Sequence, residues 1–78
     1  MSVTAYVLIQ TEVGRAEKVA TAARHLAGVI AADNVAGPYD VIVKAEAESL
    51  DELGRLVASE IQKVDGITRT FTCPIINL

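Results

Sequence analysis

Seventy-eight residues with a net charge of −3, one cysteine and one histidine make one small domain, exclude an intrachain disulfide and argue against a Cys/His zinc centre. The seven basic residues (Arg15, Lys18, Arg24, Lys44, Arg55, Lys63 and Arg69) are scattered, so no basic patch supports independent nucleic-acid binding. The 51% hydrophobic content is rich for this size, but no apolar run approaches the ~20 residues needed to span a bilayer and no basic n-region precedes the first apolar stretch, which predicts a cytoplasmic protein without a membrane partner.

The first predicted element is a strand over Val3–Gln10 (VTAYVLIQ). It is apolar on both faces, with Val3, Ala5, Val7 and Ile9 at odd positions and Tyr6 and Leu8 at even ones. A strand solvated on one side alternates, whereas one covered on both sides does not. Ala16, Val19, Ala20, Ala23 and Leu26 then recur at helical spacing within 14–26, with Glu17 in the first turn and Arg24 and His25 in the last, as the helix dipole favours. Gly28 is expected in its C′ region. The second strand, over 29–36, is weakened by Asp33 and Asn34. Gly37-Pro38-Tyr39-Asp40 is a turn, and Val41–Ala47 (VIVKAEA) returns as an alternating strand.

Ser49 with Glu52 three residues later has the form of a capping box. The helix it opens carries Leu50, Leu53, Val57, Ile61 and Val64 on one stripe, with Gly54 expected at a close packing contact. Gly66 stops that helix, and 67–76 is the last strand. Pro74 cannot donate to a ladder and therefore suits an edge strand, although a bulge or a strand end would also tolerate it. That preference is met by a β-α-β-β-α-β domain occupying 1–78, with strand order 4-1-3-2 and both helices on one face.

A shift of 38 positions superposes the two halves: Val3 on Val41, Thr11 on Ser49, Val19 on Val57, Leu26 on Val64, Gly28 on Gly66 and Val29 on Ile67. Two helices cover one face of one sheet. The other face, bearing Tyr6 and Leu8, is expected to meet a second copy of itself.

Little in the chain suggests catalysis. His25 reads as a solvent-facing helix-end residue, and no Ser or Cys has a base and orienter beside it. Cys73 reads as a buried or half-buried structural thiol. Glu46, Glu48, Asp51 and Glu52 read as a solvated, dipole-matched helix start rather than a metal site. Two features resist so plain a reading. The Gly37–Asp40 turn places an aromatic ring and a carboxylate next to accessible backbone N–H groups. Thr68, Thr70 and Thr72 form a hydroxyl stripe, expected on the face that shows Tyr6 and Leu8. Donors, acceptors and one negative charge beside apolar surface suit a small zwitterion such as an amino acid.

The run Val35–Lys44 (VAGPYDVIVK), followed by a helix, then Val64-Asp65-Gly66-Ile67 and Thr70-Phe71-Thr72, resembles the effector-binding (RAM) domain of the Lrp/AsnC family of transcriptional regulators. The resemblance covers essentially the whole chain. It implies an α+β, ferredoxin-like fold and a non-enzymatic domain without catalytic residues, metal or cofactor. It also implies homodimers formed through the sheets and assembled into octamers or similar rings. An amino acid or related metabolite would bind between dimers, near Gly37, Pro38, Tyr39, Asp40 and Val41 and near Thr70 and Thr72. Members usually carry an N-terminal helix-turn-helix that reads DNA. This chain begins at the first strand, so the resemblance implies a stand-alone version that acts, if on transcription, by co-assembly with full-length relatives and not by direct DNA contact. The competing reading of the same topology is a small dimeric α+β-barrel enzyme of the cofactor-free monooxygenase or isomerase type. Such a site needs inward-pointing His, Asn, Trp or Tyr, whereas Trp is absent and the inward positions are Val, Ala, Leu and Ile.

Overall fold

The β-branched run Val3–Thr11 forms β1, an inner strand flanked on both sides in the computed structural model, which describes residues 2–77. It is followed by α1 (Ala16–Arg24), β2 (Val29–Asn34), β3 (Val41–Ala47), α2 (Leu50–Leu56) with a π-helical continuation over Val57–Ile61, and β4 (Ile67–Pro74). The sheet order is β2-β3-β1-β4, all neighbours antiparallel. This is the expected 4-1-3-2 order read from the other edge, and it makes the domain an α+β, ferredoxin-like fold. β4 is an edge strand with Pro74 as its last residue.

Side chains on one face of β1 and β3 make the core. Ala5, Val7 and Ile9 stand opposite Ala45, Val43 and Val41, and all six are fully buried. α1 lays Val19, Ala20 and Ala23 on them, and the second helical segment adds Leu53, Val57 and Ile61. That second stripe advances four residues at a time. In an α-helix a four-residue step overshoots one turn by ~40°, so Ile61 would drift away from the sheet. The i→i+5 turn closed by the Gln62 N–H donating to the Val57 carbonyl at 2.9 Å corrects this, and Ile61 is fully buried.

Both halves end their helix in the same way. Gly28 (φ +93°) and Gly66 (φ +99°) occupy tight turns in which the Val29 N–H donates to the Leu26 carbonyl and the Ile67 N–H to the Val64 carbonyl. Each glycine then crosses to the other half. The Gly28 carbonyl accepts from the Glu46 N–H at 2.7 Å, and the Gly66 carbonyl from the Glu12 N–H at 2.8 Å. A Cβ on Gly28 would lie 3.0 Å from the Leu56 side chain, and one on Gly66 would lie 2.9 Å from Cβ of Arg15.

Several local expectations change. β2 stops at Asn34 rather than Ala36, because the chain must turn back for Val35 N–H to donate to the Asp40 carbonyl at 3.0 Å. α1 begins at Ala16, since Gly14 has φ +79°, and ends at Arg24, which places Gly28 in the following turn rather than at C′. A Cβ added to Gly54 would meet nothing within 4 Å, so the close packing expected there is absent. Cys73 is exposed, not buried, because its strand directs it to the face the helices leave bare. Among the described residues no helix is long and apolar enough to cross a membrane.

Candidate functional site

β1 and the turn that joins β2 to β3 are held together at one end of the sheet. β3 begins at Val41, opposite Ile9, and before it the chain swings away through Gly37–Asp40. The Thr11 N–H therefore has no strand carbonyl facing it. The Asp40 carboxylate fills that place: one oxygen, Oδ2, accepts from the Thr11 N–H at 2.8 Å and from its hydroxyl at 3.3 Å. Asp40 also donates its N–H to the Ile9 carbonyl at 2.9 Å. The Gln10 side-chain amide donates to the Pro38 carbonyl at 3.1 Å. Oδ2 is thus engaged by Thr11, 29 positions away in sequence.

Tyr39 leans the other way. Its half-buried ring meets Phe71 of β4 edge-on, centroids 5.9 Å apart at 73°. The Arg69 guanidinium sits 5.5 Å from the Phe71 ring, and Lys44 Nζ lies 6.0 Å from the ring of Tyr6. Register explains this company. Opposed residues of an antiparallel pair share a face; Tyr6 faces Cys73, Leu8 faces Phe71 and Gln10 faces Arg69. Leu8 also faces Ile42, and Tyr6 faces Lys44. The helix-free face thus gathers Tyr6, Leu8, Ile42, Phe71 and Cys73, with Tyr6 and Phe71 each 42% exposed.

The same register corrects the threonine stripe. Thr70 opposes Ile9 and Thr72 opposes Val7, so both lie on the helix side, away from Tyr6 and Leu8. Thr68 has no opposite number, because the ladder slips between Gln10 and Thr11; its hydroxyl donates to the Gln10 carbonyl at 3.1 Å. Thr70 is half-buried and accepts from the Gln62 side-chain amide at 2.9 Å, while Thr72 is exposed. Val41 is fully buried and belongs to the core.

Gly37, Pro38, Tyr39 and Asp40 are therefore contiguous and docked on β1, but they do not share a cavity with Thr70 and Thr72. A hollow of about 300 Å³ beside β4 is lined by Gln62, Ile67, Thr68, Arg69 and Thr70. A wider one of about 460 Å³ on the outside of α1, between Gly14 and Ala22, contains none of the expected residues. The β4 hollow is the better candidate, because an amide and two hydroxyls converge there. Sequence pattern does not single out Gln10, Thr11 or Gln62. A polar residue ending an otherwise apolar strand is a usable signal for Gln10, whereas Gln62 is aimed by the π turn, which no residue pattern announces. His25 is exposed with Nδ1 2.8 Å from the Thr21 carbonyl, as a helix-end residue would be.

The family model of the Lrp/AsnC ligand binding domain matches residues 4–77. The chain belongs to that family. It is 31% identical over 75 residues to the uncharacterised HTH-type transcriptional regulator PF0250 of Pyrococcus furiosus, a match that covers 92% of this chain and 50% of that one. The chain thus spans about half the length of the curated relatives it matches. The crystal structure of hypothetical protein PHS023 from Pyrococcus horikoshii superposes with a TM-score of 0.88 at 33% identity, covering 97% of this chain and 92% of that one. The transcriptional regulator NMB0573 of Neisseria meningitidis, solved as its L-Met complex, shares the fold with a TM-score of 0.84 at 13% identity, over 96% of this chain and 50% of that one.

Proposed function

We propose that this Lrp/AsnC ligand-binding domain is a non-catalytic, oligomeric module that binds an amino acid or a related small metabolite where copies meet. The observation that carries the reading is the sidedness of β4. Phe71 and Cys73 turn to the helix-free face, whereas Ile67, Thr70 and Thr72 turn to the helix side, where Ile67 packs on the core. An edge strand that exposes its apolar side chains is matched to a cover, and a second copy offers the same surface by two-fold symmetry. Stacked sheets, assembled further into octamers or similar rings, would bury Tyr6, Leu8, Ile42 and Phe71.

The ligand site follows from the same arrangement. Within one chain the Gly37-Pro38-Tyr39 turn leans on the helix-free face, while Thr70 and Thr72 look to the opposite side. A small ligand that touches both sets takes the turn from one copy and the threonines from another. Backbone N–H groups at the turn suit a carboxylate, the threonine hydroxyls suit an ammonium or polar side chain, and Asp40 and Val41 stand behind the turn as support. The L-methionine held by the fold relative NMB0573 agrees in chemical class. Co-assembly with a full-length regulator is one route by which such a module would act on transcription.

The test is a thermal-shift panel of the twenty amino acids at millimolar concentration, paired with solution mass by light scattering. A true effector at a hundredfold excess over Kd stabilises by ~2.7 kcal/mol, and the free protein runs at a multiple of its 8.3 kDa mass. A monomer that ignores every amino acid ends this reading.

A further inference from the structure

Four hydrogen bonds meet at two consecutive residues. From Gln10, the side chain donates to Pro38 in the turn and the carbonyl accepts from Thr68 on β4. From Thr11, the N–H and the hydroxyl both donate to Asp40. The β1–β4 ladder slips between these two positions. At the slip Thr68 is the extra residue of β4, with no β1 residue opposite it, and its hydroxyl reaches the Gln10 carbonyl. On the other side of β1, β3 has ended and a carboxylate replaces the missing carbonyl. Three segments far apart in sequence are tied at one point. An aromatic contact, Tyr39 on Phe71, closes the loop over the helix-free face.

We infer that Gln10 and Thr11 form a brace that fixes the Gly37–Asp40 turn against the start of β4. In this role Asp40 is a positioning residue, acting through Thr11 rather than by touching a ligand. The consequence for binding rests on the effector reading above; the brace itself does not. Turn and β4 are the two places that supply ligand contacts, and their spacing is set at Gln10–Thr11.

Asp40→Asn separates the two roles. The asparagine carbonyl still accepts from the Thr11 N–H, while the outer face of the group changes from acceptor to donor and loses its charge. Asp40→Ala removes the acceptor altogether. Thr68→Val cuts the β4 side of the brace without altering the turn, and it serves where Asp40→Ala fails to fold. Native-state amide exchange and the Tyr39–Phe71 ring contact, both read by NMR on the whole chain, report the brace without any ligand. Asp40→Ala should speed Thr11 amide exchange on the order of tenfold, with Asp40→Asn within about threefold of the parent. Thr68→Val should shift the resonances of Gly37 and Tyr39 and weaken the ring contact.

Resonances at 37–40 that ignore Thr68→Val, or a Thr11 amide indifferent to Asp40→Ala, overturn the brace. The amino-acid panel supplies the second arm. Affinity for whichever amino acid stabilises the parent should survive Asp40→Asn and fall in Asp40→Ala. Loss of affinity in Asp40→Asn with Thr11 still protected makes Asp40 a direct ligand contact and overturns the positioning role. A panel to which the parent does not respond defeats the effector reading alone, and the exchange data still decide the brace.

Discussion

The two halves of the chain share a pattern and use it differently. Thr11 and Ser49 are equivalent in the 38-residue repeat, as are Gly28 and Gly66. Ser49 does what the pattern predicts: its hydroxyl accepts from the Glu52 N–H at 3.1 Å and caps α2. Thr11 is diverted to Asp40, and α1 begins five residues later at Ala16 behind Arg15, which makes no side-chain cap bond. The first half thus gives up a helix cap and one turn of helix to hold the β2–β3 turn in place. One repeat serves stability in its second copy and geometry in its first. The glycines, by contrast, are used alike in both halves, each in a tight turn and each bonded to the other half's strand end.

The strongest way to break the comparison is at those glycines. Gly66→Ala forces a Cβ to 2.9 Å from Cβ of Arg15 at φ +99°, a backbone position costly for any L side chain. We expect a loss of roughly 3 kcal/mol. Gly28→Ala carries the same backbone penalty, and its Cβ would lie 3.0 Å from the movable end of the Leu56 side chain and 3.1 Å from the Glu46 backbone carbonyl, both looser than the 2.9 Å contact at Gly66. Its loss should be smaller, about 2 kcal/mol. Urea titration of the pair measures both, and equal losses would mean that backbone strain alone, not contact with the opposite helix, sets the cost.

A smaller effect sharpens the contrast at the cap. Ser49→Ala removes the acceptor for the Glu52 N–H and should cost about 1 kcal/mol, read as a shift in the urea midpoint with the slope unchanged. Thr11→Val keeps its N–H on Asp40 and loses only the longer 3.3 Å hydroxyl bond, so it should cost about half as much. If Thr11→Val were the more damaging, Thr11 would be holding its helix as Ser49 holds α2, and the two halves would not divide their labour in this way.

These differences also explain what could be read in the chain beforehand. Val41–Ala47 is a strand with the boundaries its alternation predicts, and Pro74 put β4 on an edge. Both signals are local. The faces of Thr70 and Thr72 are not a local property. They depend on the register of β4 against β1, and a one-residue change of register exchanges the two faces of a strand. The slip at Gln10/Thr11 leaves no mark in composition. The same holds for Asp40, whose partner Thr11 lies 29 positions away, and for Cys73, exposed because its strand is an edge with its apolar side turned outward. The Gly37–Asp40 turn was legible as a motif, but its attachment was not.

The gentlest perturbation makes the halves more alike. Ala16, the first residue of α1, is equivalent to Gly54, which lies inside α2. Nothing approaches within 4 Å of where a Gly54 Cβ would be, and its φ is not positive. Neither packing nor conformation asks for glycine. Gly54→Ala should therefore stabilise the chain by up to about 1 kcal/mol, through lower backbone entropy in the unfolded state and better helix propensity. The Gly54 carbonyl accepts from the Val57 N–H at the junction where α2 gives way to the π turn, so a stiffer helix reaches directly into that junction. If Gly54→Ala raised the urea midpoint while leaving the Gln62–Thr70 contact intact, the glycine would be a local weakness only. A loss of that contact with no gain in stability would show instead that α2 needs a soft point there to widen into the turn that buries Ile61.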